Sequence, residues 1–376
     1  MAGVESGSSG GKGTSSGASQ KGSGSSSGAD TAGTLGNGGD DSTGSGTSSG
    51  SPANGSTGSS SGFAGTASSS GTGETTGSSS GSSGTTSSSS SGTTSSSSGG
   101  VDDANATTPT ALPTVSGTCP TYSAGAGSTV TFSTSGGSIQ AQVWAGAPKA
   151  GGPIILYWNG TASSPGVEVP LAFDVNAVTA AGGLIVGFVS GSRTGSTGAD
   201  TGGDLYWFST DVAFADQAVA CAVKQYQIDP RHIHVAGYSA GALQTVYMWG
   251  ARSGYVASVI SYSGGYIAIN GPQSTDAPFE NAGNIAPAIA AHGAVGSDNL
   301  IVDFANASTT WEGQIKMAGG FSIDCNDGGN HTDFFTKRAP PLQPVAWKFF
   351  SDHPYGIKPE PYSSLPSGFP TYCKID

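Results

Sequence analysis

Apolar residues follow two strand-like patterns along the C-terminal part of this chain. Ser128–Ser133 and Ser138–Ala145 alternate apolar with polar residues, as the half-buried strands of a hairpin do. Pro153–Trp158 and Leu184–Val189 are instead apolar throughout, and they read P-I-I-L-Y-W and L-I-V-G-F-V. Uninterrupted apolar runs of this length are typical of strands that are buried on both faces. The two patterns predict a hairpin that leads into a buried sheet.

Segments with apolar residues at helical spacing separate further short apolar runs. The predicted helices are Val167–Ala181, Asp211–Gln227, Ala240–Arg252, Leu300–Met317 and Leu342–Asp352. The further predicted strands are Ile233–Gly237, Ala257–Tyr262, Pro287–Ala291 and Phe321–Cys325. Strands that alternate with helices indicate an α/β fold, with a largely parallel central sheet and helices on both faces.

The first hundred residues show neither pattern. Of these, 78 are Gly, Ser or Thr, and Phe63 is their one aromatic residue. Such a segment buries too little apolar surface to offset ~1–2 kcal/mol of backbone ordering entropy per residue. We therefore predict a disordered Gly/Ser/Thr-rich linker at residues 1–112 and one folded domain at residues 113–376.

The charge of the chain bears on its partners. The formal net charge is −12, so the chain has no general attraction for nucleic acid or anionic lipid. No apolar run approaches the ~18 residues of a transmembrane helix, and no transmembrane segment is expected. Residues 1–10 contain no apolar segment of a signal peptide. The low-complexity linker and the even number of cysteines nevertheless favour a secreted or cell-surface protein whose export signal has been removed.

A nucleophile motif follows one of the predicted strands. Gly237–Gly241 reads G-Y-S-A-G and lies between the strand Ile233–Gly237 and the helix that begins near Ala240. A serine in a sharp strand-to-helix turn projects its hydroxyl above the sheet, and the flanking glycines let the two arms approach closely. Ser239 is therefore the candidate nucleophile.

A serine nucleophile needs a base and an orienting acid, and these follow it in the chain order Ser…Asp/Glu…His. His331 is the candidate base, because it lies in a Gly-rich loop after the strand Phe321–Cys325, where an imidazole can reach over the sheet edge. Asp298 is the favoured acid and lies just beyond the strand Pro287–Ala291, although it could instead cap the next helix. Asp303 is the rival acid, and Asp276, Asp324 and Asp327 are further candidates for that role. Structural roles are favoured for the remaining histidines, His232, His234, His292 and His353.

Two backbone N–H groups are expected to stabilise the oxyanion of the reaction. The first is the N–H of Ala240, at the start of the helix after the nucleophile. The second comes from the loop after the strand Pro153–Trp158. We assign it to Thr161, with Gly160 as the alternative donor.

Four segments together resemble the polyhydroxybutyrate depolymerase and feruloyl esterase group of the α/β-hydrolase superfamily. They are the nucleophile segment Ile228–Ala242, the acid segment His292–Asp298, the base segment Gly328–His331 and the oxyanion segment Trp158–Gly160. The resemblance runs over roughly residues 115–376 and implies an α/β-hydrolase fold. It also departs from the group in having Asn159 where His is common, and in a longer acid loop.

The resemblance implies a function that can be stated concretely. A secreted serine esterase of this group hydrolyses carboxylic esters through a Ser-His-Asp triad and an acyl-enzyme. Its ester substrates include polymers, either hydroxyalkanoate polyesters or polysaccharides that carry feruloyl or acetyl esters. The alternative is a non-catalytic surface-binding module on a degraded hydrolase fold, which the long linker and Asn159 favour.

Cysteines and aromatic residues complete the set of expectations. The four cysteines allow three pairings. We expect Cys119–Cys373 with Cys221–Cys325, because the first disulfide would clamp the ends of the domain and the second would stiffen the base loop. No cysteine or histidine group has the spacing of zinc ligands, so neither a metal nor another cofactor is expected. The aromatic residues expected to bind substrate are Trp158, Tyr238 and Trp311. The pocket walls are expected from the loops Ser190–Gly203 and Ile267–Ile285.

Overall fold

A nine-stranded mixed sheet organises the folded part of the chain. The computed structural model describes residues 103–195, 206–268, 275–333 and 341–376, and the predicted linker lies almost wholly outside them. The strands are β1 Gly125–Thr134, β2 Gly137–Ala145, β3 Gly152–Trp158, β4 Leu184–Phe188, β5 Ile228–Tyr238, β6 Ser258–Tyr262, β7 Ala288–His292, β8 Ser322–Asn326 and β9 Cys373–Ile375. Their order across the sheet is β1-β2-β4-β3-β5-β6-β7-β8-β9.

The centre of the sheet is parallel and its edges are antiparallel. Strand β3 pairs in parallel with β4 and β5, and the parallel pairing continues through β6 and β7 to β8. The hairpin β1–β2 joins β4 in an antiparallel manner at one edge, and β9 joins β8 at the other. The prediction of a largely parallel central sheet is confirmed. The carboxyl ends of the parallel strands consequently meet at one side of the sheet.

The helices cover both faces of the sheet, as predicted. They are α1 Pro165–Ala172, α2 Val175–Ala180, α3 Val212–Tyr226, α4 Ala240–Ala251, α5 Phe304–Met317 and α6 Gln343–Asp352. Helices α3, α4 and α5 contribute to the hydrophobic core on one face, and α1, α2 and α6 to the core on the other. Within the described ranges, no helix is long and apolar enough to cross a membrane.

The continuous apolar run of β3 has the environment that its pattern predicts. Ile154, Leu156 and Trp158 face one core, whereas Ile155 and Tyr157 face the other, and all five side chains are fully buried. Because successive side chains point to opposite faces of a strand, only a strand covered on both sides can be apolar at every position. This burial places β3 at the centre of the fold.

One predicted helix is two helices. The segment Val167–Ala181 breaks at Phe173, whose backbone is extended at φ −137° and ψ 153° and whose side chain is fully buried. Asp174 then starts the second helix, because its side chain accepts a hydrogen bond from the N–H of Ala177 at 3.1 Å. The break turns Phe173 into the core, and helical spacing alone does not reveal such a turn.

The expected cysteine pairing is wrong. The disulfides are Cys119–Cys221 and Cys325–Cys373. Cys373 lies on β9 directly opposite Cys325 on β8, so the second disulfide ties two neighbouring strands together. Cys119 is joined to helix α3 instead. Two disulfides indicate a compartment other than the reducing cytosol.

Two residues before position 113 also contact the folded part or are buried in it. The N–H of Thr107 donates a hydrogen bond to the carbonyl of Tyr355 at 2.9 Å, and Pro109 is buried. The described residues all belong to one unit, Ser89–Asp376.

Candidate active site

Ser239 occupies a strained turn between β5 and α4. Its φ of 55° and ψ of −122° lie outside the regions that residues with a side chain prefer. The strand ends at Tyr238 and the helix begins at Ala240, so a single residue makes the whole turn. Strain of this kind costs on the order of 1–3 kcal/mol and is typical of functional sites. The turn lifts the hydroxyl of Ser239 to the side of the sheet where the parallel strands end.

The two glycines of the motif are required by close backbone contacts. A Cβ atom on Gly241 would lie 1.9 Å from the carbonyl oxygen of Trp158. A Cβ atom on Gly237 would lie 2.3 Å from the carbonyl oxygen of Gly241. Any larger residue at either position would push the helix away from β3 and β5, and it would displace Ser239 with it.

Three side chains from different loops form one hydrogen-bonded chain. Oγ of Ser239 lies 2.8 Å from Nε2 of His331, and Nδ1 of His331 lies 2.8 Å from Oδ1 of Asp298. All three side chains are buried, with Asp298 fully so. The imidazole can thus accept the serine proton at one nitrogen while the carboxylate holds the proton on the other. The structure brings together the three residues that the sequence predicts as nucleophile, base and acid.

Asp298 is held by hydrogen bonds on both of its oxygens. Besides the contact with His331, its Oδ2 accepts hydrogen bonds from the hydroxyl of Ser263 at 2.6 Å and from the N–H of Gly293 at 2.9 Å. Burial alone would raise the pKa of Asp298, but the hydrogen bonds from His331, Gly293 and Ser263 outweigh it and lower the pKa. The carboxyl therefore stays ionised at neutral pH.

The acid loop and the base loop are bonded to each other. The N–H of Ala294 donates to the carbonyl of Gly329 at 3.0 Å. A Cβ atom on Gly293 would lie 2.1 Å from the same carbonyl oxygen, so only glycine permits this approach. The contact fixes the position of His331 relative to Asp298.

Two aromatic rings lie against the imidazole of His331. Phe304, the first residue of α5, stacks on it at a centroid distance of 4.3 Å, and Tyr238 stacks at 5.2 Å. The hydroxyl of Tyr238 also donates to the carbonyl of His331 at 2.6 Å. The two rings and this hydrogen bond restrict the imidazole to the orientation that reaches Ser239.

The loop after β3 lies beside the nucleophile. A Cβ atom on Gly160 would come within 3.3 Å of the Cβ of Ser239. The N–H of Gly160 donates to the carboxylate of Glu168 at 3.1 Å, which does not agree with the expectation that Gly160 could bind the oxyanion in place of Thr161. Thr161 follows and is partly exposed. The N–H of Ala240 is the first of α4 and has no acceptor within the helix.

The side chain of Asn159 holds the loop after β3 in place by hydrogen bonds. Its side-chain amide donates to the carbonyls of Gly160 and Ser163, both at 2.8 Å, and its oxygen accepts from the N–H of Ser190 at 2.8 Å. The side chain is fully buried. Asparagine at this position therefore ties the loop after β3 to the end of β4.

Glu168 is a buried carboxyl behind the same loop. It accepts hydrogen bonds from the N–H of Gly160 and from the hydroxyl of Tyr157, the latter at 3.0 Å. Burial raises the pKa of Glu168 to about 7, although hydrogen bonds from Ser163, Tyr157 and Gly160 act in the opposite direction. Between about pH 4.5 and pH 7, the folded protein thus holds a proton on Glu168 that the unfolded chain releases.

Replacing Glu168 with Gln should change how stability depends on pH. Because the pKa rises from 4.5 in the unfolded chain to about 7 in the fold, this carboxyl lowers the stability of the fold as pH rises through that window. A shift of this size corresponds to about 3 kcal/mol. The free energy of unfolding of the wild type should therefore fall by about that amount relative to Glu168→Gln between about pH 4 and pH 8, as measured by urea titration.

The matched control for this experiment is Glu280→Gln, which removes an exposed carboxyl. It should follow the wild type across the same pH range. If the free energy of unfolding depended on pH in the same way for the wild type and Glu168→Gln, the assignment of the raised pKa to Glu168 would be contradicted.

Two of the three aromatic residues expected to bind substrate lie elsewhere. Trp158 and Trp311 are fully buried in the hydrophobic core, and Trp158 stacks on Phe188 at 4.4 Å. Both side chains pack in the hydrophobic core and therefore do not face a substrate. Tyr238 is partly exposed and lies against His331.

The rival acids and bases are engaged away from Ser239. Asp303 caps α5 by accepting from the N–H of Asn306 at 3.0 Å, so it is not the triad acid. His234 contacts the hydroxyl of Ser258, and His353 lies 2.9 Å from Glu360. Asp327 accepts from the N–H of Gly329 within the base loop.

Sequence reasoning missed three residues of the site: Ser263, Phe304 and Glu168. A signal for Ser263 was present, because it follows β6 directly and the ends of neighbouring parallel strands meet at one edge. Phe304 and Glu168 are ordinary helix residues in the sequence pattern. The loops expected to form the pocket walls, Ser190–Gly203 and Ile267–Ile285, lie partly outside the described residues.

Comparison with known proteins identifies the fold. No family model matches the sequence, and no curated protein matches it. Among solved structures, a serine-to-alanine variant of pOPH in complex with pNPB has a TM-score of 0.53 at 14% identity, covering 70% of this chain and 96% of pOPH. Native pOPH has a TM-score of 0.51 at 15% identity, covering 69% of this chain and 96% of that one. Esterase 2 of Thermogutta terrifontis, phosphorylated by paraoxon, has a TM-score of 0.43 at 17% identity, covering 60% of this chain and 90% of that one.

The fold follows from the sheet order and from the two pOPH structures, whose TM-scores are 0.53 and 0.51. The chain has the α/β-hydrolase fold, as the sequence predicts. Ser239, His331 and Asp298 all lie at the carboxyl ends of its parallel strands, on the loops after β5, β8 and β7. Ligand sites of open parallel sheets form at this edge.

Proposed function

We propose that this protein is a serine esterase that hydrolyses carboxylic esters. The observation that supports it most strongly is the hydrogen-bonded chain from Ser239 through His331 to Asp298, with 2.8 Å at each contact. A strained serine in contact with an imidazole that a buried carboxylate orients is the arrangement for acyl transfer.

The reaction proceeds in two halves. Oγ of Ser239 attacks the ester carbonyl while Nε2 of His331 takes its proton, and Asp298 stabilises the imidazolium. The N–H groups of Ala240 and Thr161 hold the oxyanion. His331 then gives its proton to the leaving alkoxide, which departs as the alcohol and leaves the acyl group on Ser239. Water, deprotonated by His331, attacks the acyl-enzyme, and His331 then returns this proton to Oγ of Ser239 as the carboxylic acid leaves.

The substrate class rests on the sequence resemblance to the polyhydroxybutyrate depolymerase and feruloyl esterase group. We infer that the substrates are hydroxyalkanoate polyesters or polysaccharides with feruloyl or acetyl esters. Asn159, which departs from the usual His of that group, is engaged in holding the loop after β3. The departure is therefore compatible with an active enzyme.

We further propose that the enzyme is secreted or held at the cell surface. Two disulfides suit an oxidising compartment. In this proposal the Gly/Ser/Thr-rich residues at the start of the chain form a flexible linker, and the catalytic domain follows from about residue 113. Thr107, which contacts Tyr355, belongs to the catalytic domain as well.

A reactivity test on the full chain distinguishes the esterase from a binding module. The folded protein should hydrolyse a short-chain p-nitrophenyl ester and take up one fluorophosphonate label per chain, which mass spectrometry should place on Ser239. The same protein denatured in urea should take up no label, because the relay that activates Ser239 is then lost. A folded chain that neither hydrolyses the ester nor takes up the label would favour the non-catalytic surface-binding module.

A further inference from the structure

Three ionisable side chains meet in the fold behind the acid loop. His292 ends β7, Glu312 lies on α5, and Asp324 lies on β8. Their potential ligand atoms all lie within 4.8 Å of one another. His292 and Glu312 are 2% and 5% exposed, and the side chain of Asp324 is 14% exposed. The relay of Ser239, His331 and Asp298 uses none of them.

The tautomer of His292 is set by the backbone. Its Nδ1 lies 2.7 Å from the carbonyl oxygen of Gly293. Because a carbonyl only accepts hydrogen bonds, Nδ1 carries the proton. In the neutral ring, Nε2 therefore presents a lone pair toward Oδ1 of Asp324, which lies 3.2 Å away. The contact is therefore favourable only when a proton or a metal ion lies between these two atoms.

Buried acceptor atoms without donors converge on this point. Among the described residues, Nε2 of His292, Oε1 of Glu312 and Oδ1 of Asp324 are buried without a hydrogen-bond partner. Such groups are costly in a protein interior.

The nearest lysine does not resolve the problem. Nζ of Lys374 lies 3.3 Å from Oδ2 of Asp324, the other oxygen of that carboxylate, and the side chain of Lys374 is 70% exposed. A single proton on His292 would satisfy one carboxylate only. A divalent cation satisfies all three acceptors at once.

We propose that His292, Glu312 and Asp324 bind a divalent transition-metal ion, with Zn²⁺ as the ion that this set of ligands fits. Zinc binds imidazole nitrogen at 2.0–2.1 Å and carboxylate oxygen at 2.0–2.2 Å, so ligand atoms of a tetrahedral site lie about 3.4 Å apart. The 3.2 Å between His292 and Asp324 is close to that separation. Metal-bound histidines commonly donate their other N–H to a carbonyl, as Nδ1 of His292 does.

The ligand chemistry selects against the harder cations. Calcium and magnesium prefer sites built wholly of oxygen, whereas an imidazole ligand favours zinc and its neighbours. Spacing along the sequence does not reveal this site, because its residues come from three separate elements. The sequence-based expectation of no metal rested on such spacing.

The site lies directly behind the acid loop. Gly293, which follows His292, donates its N–H to Asp298, and Asp324 lies on β8 opposite Lys374 of β9. An ion at this point would hold β7, β8 and α5 together beneath the loop that carries Asp298. The proposal concerns stability and does not depend on ester hydrolysis.

Zinc titration of the full chain tests the proposal. The protein is stripped with EDTA, freed of chelator and titrated with zinc sulfate in a calorimeter, and bound metal is measured by mass spectrometry. The wild type should bind one Zn²⁺ per chain, and its Tm should rise by several degrees with zinc. Glu312→Gln should bind zinc at least 10-fold more weakly, because one ligand is lost.

The control variant is His232→Gln, which removes a partly exposed histidine on β5 and should bind zinc like the wild type. Circular dichroism shows whether Glu312→Gln is folded, and Asp324→Asn replaces it if it is not. Wild-type protein that binds no zinc would overturn the proposal. So would equal zinc affinity in the folded ligand variant, or stabilisation by calcium or magnesium without any by zinc.

Discussion

Replacing Ser239 with Ala should lower kcat for p-nitrophenyl ester hydrolysis by about a millionfold, to near the background rate. Oγ of Ser239 is the atom that His331 contacts at 2.8 Å, and the substitution removes it without altering the strand or the helix. Among the described residues, no other hydroxyl forms a hydrogen bond with Nε2 of His331. The measurement is kcat and KM on the full-length protein with a short-chain ester.

The control for Ser239→Ala is Ser261→Ala. Ser261 is also a fully buried serine beside the nucleophile strand, and its hydroxyl has no hydrogen-bond partner among the described residues. Its loss should leave kcat within about threefold of the wild type, since it contacts no member of the relay. Turnover by folded Ser239→Ala that approaches the wild-type rate would sink the serine mechanism.

The relay could be predicted because each of its members is marked by a local sequence feature. Ser239 lies in a glycine-flanked turn between an apolar strand and a helix, and both glycines prove to be needed for close backbone contacts. His331 and Asp298 both follow predicted strands, and the ends of parallel strands meet at one edge. The chain order of the three residues then limited the choice. Short-range pattern and topology together were sufficient here.

The disulfide Cys325–Cys373 could not be predicted, because it joins β8 to a strand that has no sequence signal. Strand β9 has only three residues, and it contains a lysine between its cysteine and its isoleucine. Its antiparallel register beside β8 sets Cys373 opposite Cys325. The positions of the cysteines near the two ends of the domain do not reveal this register.

The break in the predicted helix at Phe173 also depends on tertiary structure. The spacing of apolar residues supports a continuous helix, but burial of Phe173 in the core breaks it.

The polar network behind the loop after β3 also escaped prediction. Glu168 is the one charged residue in the sequence of α1, yet α1 packs it against Tyr157 and the N–H of Gly160. Buried polar partners of this kind depend on how a helix docks on the sheet. Trp158 and Trp311 illustrate the converse, because proximity in sequence to the site suggested substrate contact while their side chains point into the core.

Replacing Asp298 with Asn should be the second severe change, through the tautomer of His331. Oδ2 of Asp298 accepts two donors, the hydroxyl of Ser263 and the N–H of Gly293, so the amide oxygen of Asn must take that position. The amide nitrogen then faces Nδ1 of His331 and donates to it. The ring proton is forced onto Nε2, which points at Ser239 and can no longer accept its proton.

We expect Asp298→Asn to lower kcat by about ten-thousandfold while KM and Tm change little, because the geometry is kept and only the tautomer is reversed. The matched control is Asp303→Asn, in the same segment five residues later. Asp303 caps α5, and Asn is an equally good capping residue, so this variant should retain both activity and stability. If Asp298→Asn kept activity within about tenfold of the wild type, or if Asp303→Asn were the inactive variant, Asp303 rather than Asp298 would have to be the acid. That outcome would conflict with the 2.8 Å contact between Asp298 and His331, and it would require a different arrangement of the acid loop during catalysis.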